Sequence, residues 1–139
     1  RDAELAILET HGAGHVRVDA LEPVASAADV AAASDMVNTI HVAPVIQEYI
    51  VSVVEATRAH PDLTLGASPR GALALQRAAR ALGAAQGRDY VIPDDVKMLA
   101  PTVLEHRVIL TPEAGLRGVT SVDVIDTVLR SVPVPGATG

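Results

Sequence analysis

The sequence predicts an all-α fold, a small helical bundle with short flanking strands or extended links. In several segments, apolar residues recur at helical spacing and end at glycine or proline. The apolar share is 49%, yet the 139 residues include no Phe or Trp and only two Tyr. Much of the core must therefore be alanine and valine, which suits closely packed helices and buries a modest apolar area.

The first third of the chain contains the weaker elements. A short amphipathic helix fits residues 2–11 and is ended by Gly12, and an alanine-rich helix fits 27–37 with Ser26 as its cap. Between them we expect a loop that could hold one short strand, and at 40–42 an extended link.

Three stronger helices follow. The first covers 43–60 and stops at Pro61, the second covers 68–86, and the third begins at Pro93. The third must kink or restart at Pro101, because proline removes a helical hydrogen bond. The predicted inward side chains are Val45, Ile46, Tyr49, Ile50, Val53 and Val54 in the first helix, Leu73, Leu75, Ala78, Ala79 and Leu82 in the second, and Val96, Leu99, Val103 and Leu104 in the third.

The remaining segments are connections and the C-terminus. Residues 62–67 read as a loop, and the β-branched run 108–110 predicts a brief strand. Ser121 is expected to cap a last helix over 122–130, and the proline- and glycine-rich tail 133–139 is expected to be mobile.

Charge and composition exclude several classes of function. Seventeen acidic residues against eleven basic ones give a formal charge of −6, which opposes nucleic-acid binding. The absence of cysteine excludes thiolate metal sites and fits a cytoplasmic protein, and the five histidines lack metal-ligand spacing, so no metal site is predicted. We expect neither a membrane span nor a signal peptide. Because the chain starts at Arg1 rather than Met, we expect a fragment of a longer protein.

The run 65–70 is the most informative for function. Ser68 has a capping side chain, Pro69 suits the first helical position, and Gly66 lets a backbone or a ligand approach closely. The first turn of such a helix presents free N–H groups, which attract an anion. Arg70 also lies in this turn, where a cation opposes the helix dipole. Either an anion sits opposite Arg70, or Arg70 is a surface residue paired with a carboxylate such as Asp62.

Other charged residues have simpler explanations. Asp94 and Asp95 follow Pro93 at a helix start, where acids favour the dipole, and we expect them to cap the helix and to be solvated. The other arginines near the second helix, Arg77, Arg80 and Arg88, are expected on a solvated face. No G-x-x-x-x-G-K-[ST] loop is present, so any ATP would be bound mainly by another segment.

A set of short motifs resembles the lid region of MoxR-type AAA+ ATPases. The match is strong over about 43–110 and looser outside it. The motifs are specific as a set, in this order and spacing: Tyr49-Ile50-Val51, Thr57-Arg58, Leu65-Gly66-Ala67-Ser68-Pro69-Arg70-Gly71, Gly87-Arg88-Asp89-Tyr90-Val91, Pro93-Asp94-Asp95-Val96 and Val103-Leu104-Glu105-His106-Arg107.

The resemblance implies a role in ATP hydrolysis. In that family an ATP-binding α/β core precedes a helical lid, and subunits form rings, often hexamers. Arg70 matches the sensor-2 arginine, a catalytic residue that reaches the γ-phosphate. The implied cofactors are ATP and magnesium in the full-length parent. None is expected to bind tightly to this fragment, which lacks the Walker motifs and should not hydrolyse ATP alone.

The resemblance also implies nucleotide contacts outside Arg70. Gly66, Ala67 and Ser68 would lie near the ribose and adenine. Tyr49 and Ile50, on the preceding helix, are weaker candidates for the same pocket, with core packing as the alternative.

Four domains follow from the resemblance: the end of the ATPase core at 1–22, a linker with a short helix at 23–42, the helical lid at 43–110, and a C-terminal helix with its tail at 111–139. The implied partners are the AAA+ core of the same chain, neighbouring subunits of a ring homo-oligomer and a von Willebrand A-domain protein. The implied work is nucleotide-driven remodelling, like that of a chaperone. Two other hypotheses stay open: a free-standing helical interaction domain without nucleotide dependence, and a histone-like or helix-turn-helix DNA binder, which the acidic charge disfavours.

Overall fold

The computed structural model describes residues 1–11 and 22–136, and the strand considered between the first two helices lies outside them. The chain divides into two compact units, residues 1–32 and 33–139. Helix α1 covers Asp2–His11, and helix α2 covers Ala27–Thr39 and crosses the boundary. Ser26 caps α2 as predicted, because its hydroxyl accepts a hydrogen bond from the Asp29 N–H at 3.1 Å.

The second unit is a helical bundle with a minimal sheet, which confirms the predicted all-α class. Strands β1 and β2 pair antiparallel, Leu63 with Leu110 and Leu65 with Ile109. A short 3-10 helix, Glu105–Arg107, leads into β2. The elements are α3 (Pro44–Arg58), β1 (Leu63–Leu65), α4 (Pro69–Ala85), α5 (Pro93–Leu104), β2 (Ile109–Leu110), α6 (Pro112–Leu116) and α7 (Ser121–Ser131).

The core forms where α3, α4, α5 and α7 meet. Helix α4 buries a stripe of residues four apart, Gly71, Leu75, Ala79 and Gly83. Two of these are glycines because α4 lies close to its neighbours: a Cβ on Gly71 would lie 3.3 Å from Leu104 Cδ2, and one on Gly83 would lie 3.1 Å from the Tyr90 carbonyl oxygen. The tight packing predicted from small side chains is therefore present.

Two predicted inward residues face outward. Leu73 is 54% exposed because the buried stripe of α4 places it on the opposite side of the helix. Val45, in the first turn of α3, is 49% exposed, whereas its neighbour Ile46 is buried.

Several predicted boundaries were wrong. Residues 63–65 form a strand rather than a loop, since β2 supplies hydrogen-bond partners far along the chain. Helix α5 continues through Pro101 to Leu104, so it does not restart at the proline, and a kink there stays a prediction. Helix α6 was not predicted, and the cap of α7 is Thr120 rather than Ser121: the Thr120 hydroxyl accepts a hydrogen bond from the Asp123 N–H at 3.2 Å.

The described part of the C-terminal tail lies against α3. Val132 is buried, and residues 133–136 line a groove of about 350 Å³ together with Val45 and Tyr49. Tail mobility stays a prediction. Within the described ranges, no helix combines the length and apolarity needed to cross a bilayer.

Candidate functional site: the start of helix α4

Helix α4 begins without a side-chain cap. Ser68 is its N-cap residue, with extended backbone angles of φ −82° and ψ 168°, yet its hydroxyl makes no capping hydrogen bond. Pro69 follows, and the first turn contains no acidic residue. By contrast, Thr111 caps α6 and Thr120 caps α7. Pro69 has no N–H and the Gly71 N–H donates to the Ser68 carbonyl oxygen at 2.8 Å, so the first turn of α4 offers the Arg70 N–H and the positive end of the helix dipole.

Arg70 lies in this first turn with its side chain exposed. Among the described residues of the second unit, 33–136, its guanidinium makes no hydrogen bond or ion pair. The alternative pairing with Asp62 is wrong, because Asp62 is bound by the guanidinium of Arg117. The cation at the start of α4 is thus not neutralised by the carboxylate that the sequence offered for it.

The loop before α4 is attached to the end of α3. The Thr57 hydroxyl accepts a hydrogen bond from the Ala67 N–H at 2.9 Å, and Arg58 Nε donates to the Ala67 carbonyl oxygen at 2.8 Å. A Cβ on Gly66 would lie 2.5 Å from the Arg58 backbone nitrogen, so only glycine permits this approach. The close neighbour that requires glycine at position 66 is the backbone of α3.

A small cavity of about 220 Å³ lies between α3 and α4 beside this helix start. Most of its wall is apolar, and two charged side chains also line it. Its lining residues are Val51, Val54, Glu55, Arg58, Pro69 and Ala72.

The other predicted nucleotide contacts differ in exposure. Ser68 is exposed, whereas Ala67 is fully buried with both backbone polar groups bonded to α3. Tyr49 and Ile50 are 3% and 2% exposed and belong to the core, as the packing alternative proposed. Contact of these residues with a nucleotide stays a prediction.

The hydroxyl of Tyr49 is unusual because it is buried without a hydrogen-bond partner among the described residues. Burial raises the pKa of Tyr49, and the negative charge of Asp94 adds to this. The phenol therefore stays neutral well into the alkaline range.

A second polar cluster joins two of the sequence motifs and was missed by the sequence analysis. Arg88 binds the buried Asp95 with both terminal nitrogens, at 2.9 and 2.7 Å, and also donates to the Tyr90 carbonyl oxygen. The pKa of Arg88 is raised by the hydrogen bonds to Asp95. Asp95 also accepts from the Ile92 N–H at 2.9 Å. Neither Arg88 nor Asp95 lies on a solvated face, so the predicted solvation was wrong for both, whereas Asp95 caps the start of α5 and Asp94 is exposed as predicted.

These groups offer anion recognition rather than acid–base catalysis. The start of α4 combines the guanidinium and backbone N–H of Arg70 with the positive end of the helix dipole, which suits a phosphate. In the described residues, no three His, Asp or Glu side chains lie together as metal ligands.

Sequence reasoning found Arg70 but missed the importance of Thr57 and Arg58. The available signal was Thr57 itself, a polar residue that continues the apolar stripe of Val53 and Val54. A buried hydroxyl at such a position requires a partner, which here is the loop before α4.

The chain is similar to several known proteins. Residues 55–128 match the family model described as the AAA lid domain. The chain is 40% identical over 132 residues to YeaC of Bacillus subtilis strain 168, an uncharacterised protein, and 42% identical over 107 residues to the chaperone MoxR1 of Mycobacterium tuberculosis. It is 35% identical over 117 residues to the protein MoxR of Methylorubrum extorquens.

A solved structure shares the fold. It is a protein of Cytophaga hutchinsonii described as a candidate ATPase, with a TM-score of 0.78 and 29% identity. The alignment covers 96% of this chain but only 43% of that protein. The sequence relatives are also longer than this chain. The alignment with YeaC covers 95% of this chain and 41% of YeaC. The alignment with MoxR1 covers 70% of this chain and 28% of MoxR1, and that with the Methylorubrum protein covers 74% of this chain and 34% of that protein.

Proposed function

The chain belongs to the AAA lid domain family and is related to the MoxR proteins, and on this basis we propose that it is the nucleotide-sensing lid of a longer ATPase. Arg70 acts as its sensor-2 residue and binds the γ-phosphate of ATP. Magnesium and most of the nucleotide contacts come from an ATP-binding core, since the Walker loop is absent from these 139 residues. The isolated chain is then expected not to hydrolyse ATP.

One observation carries this proposal: an exposed arginine without a partner lies in the first turn of an uncapped helix. A cation there opposes the helix dipole by about 0.3–1 kcal/mol. An anion at the same place removes the conflict, because it is attracted by both the guanidinium and the positive end of the helix dipole. A terminal phosphate has the charge and the acceptor oxygens that this arrangement needs.

The fold supports transmission of the nucleotide state. Helix α4 packs extensively on α5 and α3, and these share one continuous core with α7. A displacement of the α4 start is therefore passed to a closely packed group of helices, as in hinge-type domain closure. We further propose that this movement acts on neighbouring subunits of a cytoplasmic ring homo-oligomer with chaperone-like remodelling activity, beside a von Willebrand A-domain partner.

The test uses the full-length protein that contains this chain. Arg70→Ala should lower ATP turnover at least tenfold, since about 1.4 kcal/mol of lost transition-state stabilisation gives that factor. It should also bring the affinities for ATP and ADP closer together, because only ATP carries the γ-phosphate.

Arg77→Ala is the matched control. Arg77 is exposed on the same helix, two turns further along, and its removal changes the net charge equally. We expect its turnover to stay near that of the wild type. If Arg70→Ala also leaves turnover and both affinities unchanged, Arg70 is a surface residue and the chain is better described as a helical interaction module.

A further inference from the structure

We infer that Thr57 and Arg58 are positioning residues for Arg70. They hold Ala67, the residue directly before the N-cap of α4, and so determine where the guanidinium of Arg70 lies. The inference rests on the proposed function and extends it from the residue that meets the phosphate to the residues that place it.

The attachment uses both backbone groups of one residue. The Ala67 N–H donates to the Thr57 hydroxyl at 2.9 Å, and the Ala67 carbonyl oxygen accepts from Arg58 Nε at 2.8 Å. Two hydrogen bonds on one residue, to adjacent residues of α3, fix its orientation as well as its position. Ala67 is also fully buried, which limits its freedom further.

The Thr57 hydroxyl uses both its donor and its acceptor capacity here. Its side chain is fully buried, and its hydroxyl donates to the Val54 carbonyl oxygen at 2.6 Å while it accepts from Ala67. The donated hydrogen bond directs the hydroxyl lone pairs toward the loop. Serine at this position could keep both bonds, whereas valine would keep only the volume of the side chain.

The first turn of α4 packs on Leu104 through Gly71, but its N-terminal end has no side-chain cap. Ser68 gives no side-chain cap, so Ala67 is the last fixed point before the helix. Arg70 follows Ala67 by three residues, about one helical turn, so a shift or tilt of Ala67 is carried directly to Arg70. A misplacement of about 1 Å can cost a catalytic group up to a hundredfold in rate.

The test compares Thr57→Val with Thr57→Ser in the full-length protein. Thr57→Val should lower kcat about tenfold and reduce the preference for ATP over ADP, while Thr57→Ser should restore most of both. The ratio of the ATP affinity to the ADP affinity is informative, because a purely structural defect would weaken the binding of both nucleotides alike. If Thr57→Val retains the wild-type kcat and preference, the inference is overturned.

A double-mutant cycle separates positioning from general stability. If Thr57 acts through Arg70, Thr57→Val should change turnover less than twofold in the Arg70→Ala background. An undiminished effect there would overturn the inference. Val128→Ala, a core change on α7, should lower the melting temperature with turnover retained; an equal loss of turnover would reduce Thr57 to a stability residue. Failure of the proposed function would give a different result from failure of this inference, because Arg70→Ala alone would then hydrolyse ATP at the wild-type rate.

Discussion

Gly66→Ala should destabilise the helical unit by about 2–4 kcal/mol, because the added methyl group meets backbone. Its Cβ would lie 2.5 Å from Arg58 N, 2.6 Å from Arg58 Cα and 2.7 Å from Thr57 C, whereas ordinary contact begins at 3.4 Å. The loop must retreat by about 0.9 Å, which stretches both hydrogen bonds to Ala67 past their normal range. Two lost bonds cost about 1 kcal/mol each, and strain adds about 1–3 kcal/mol. The smaller entropy of the unfolded alanine chain returns about 0.4–1 kcal/mol.

Urea denaturation followed by far-UV circular dichroism measures this difference, and it suits a helical chain without tryptophan. Gly115→Ala is the matched control, since a Cβ there has no neighbour within 4 Å and the residue lies inside α6. Alanine at that site should leave stability unchanged or raise it by about 0.5–1 kcal/mol. If Gly66→Ala unfolds at the same urea concentration as the wild type, the close approach of the loop to α3 is not a real constraint.

Two further predictions concern titratable groups. The Thr120 hydroxyl and backbone hold the pKa of Asp123 below its usual value, so its stabilising effect is present above about pH 4 and is lost as the pH falls through the lowered value. Asp123→Ala should therefore be less stable than the wild type at pH 7, and the difference should shrink as the pH falls through the lowered pKa in urea titrations; a constant difference would contradict this. Tyr49→Phe should be at least as stable at pH 7, because the hydroxyl it removes has no partner among the described residues. Since burial raises the pKa of Tyr49, the wild type should lose stability relative to Tyr49→Phe as the pH rises above about 10, where the unfolded chain ionises first. A cost above about 1 kcal/mol at pH 7 would mean that the hydroxyl is bonded.

The long helices could be predicted because each carries its own signals. Helix α3 has an apolar stripe and a proline at its first position, and the structure places its end at Arg58, two residues before the predicted one. Strand β1 carries no such signal, since its pairing depends on Leu110 and Ile109, more than forty residues away. Helix α6 did carry a signal that was overlooked: Thr111 before Pro112 is a cap followed by a favourable first residue.

The candidate site likewise contains one residue that could be identified from the sequence and one contact that could not. Arg70 could be found from sequence because it violates a local rule about charge in the first turn of a helix. The contact that holds Ala67 could not be located, since it joins residues ten positions apart through a loop whose path sequence does not specify. The exposure of the site residues could not be predicted from the sequence either. Tyr49 and Ala67 lie in motifs beside exposed residues, yet both are buried.

Three arginines of the sequence motifs differ in role: two make structural hydrogen bonds within the fold, and one remains available to bind a ligand. Arg88 gives its terminal nitrogens to Asp95, Gln86 and the Tyr90 carbonyl, and Arg58 gives its Nε to Ala67. Arg70 has no such partner in residues 33–136, although the chain carries six more acids than bases. A carboxylate near Arg70 would lower the cost of its position but would compete with an incoming phosphate. Keeping acids out of the first turn of α4 therefore favours binding of an external anion over stability of the lid alone.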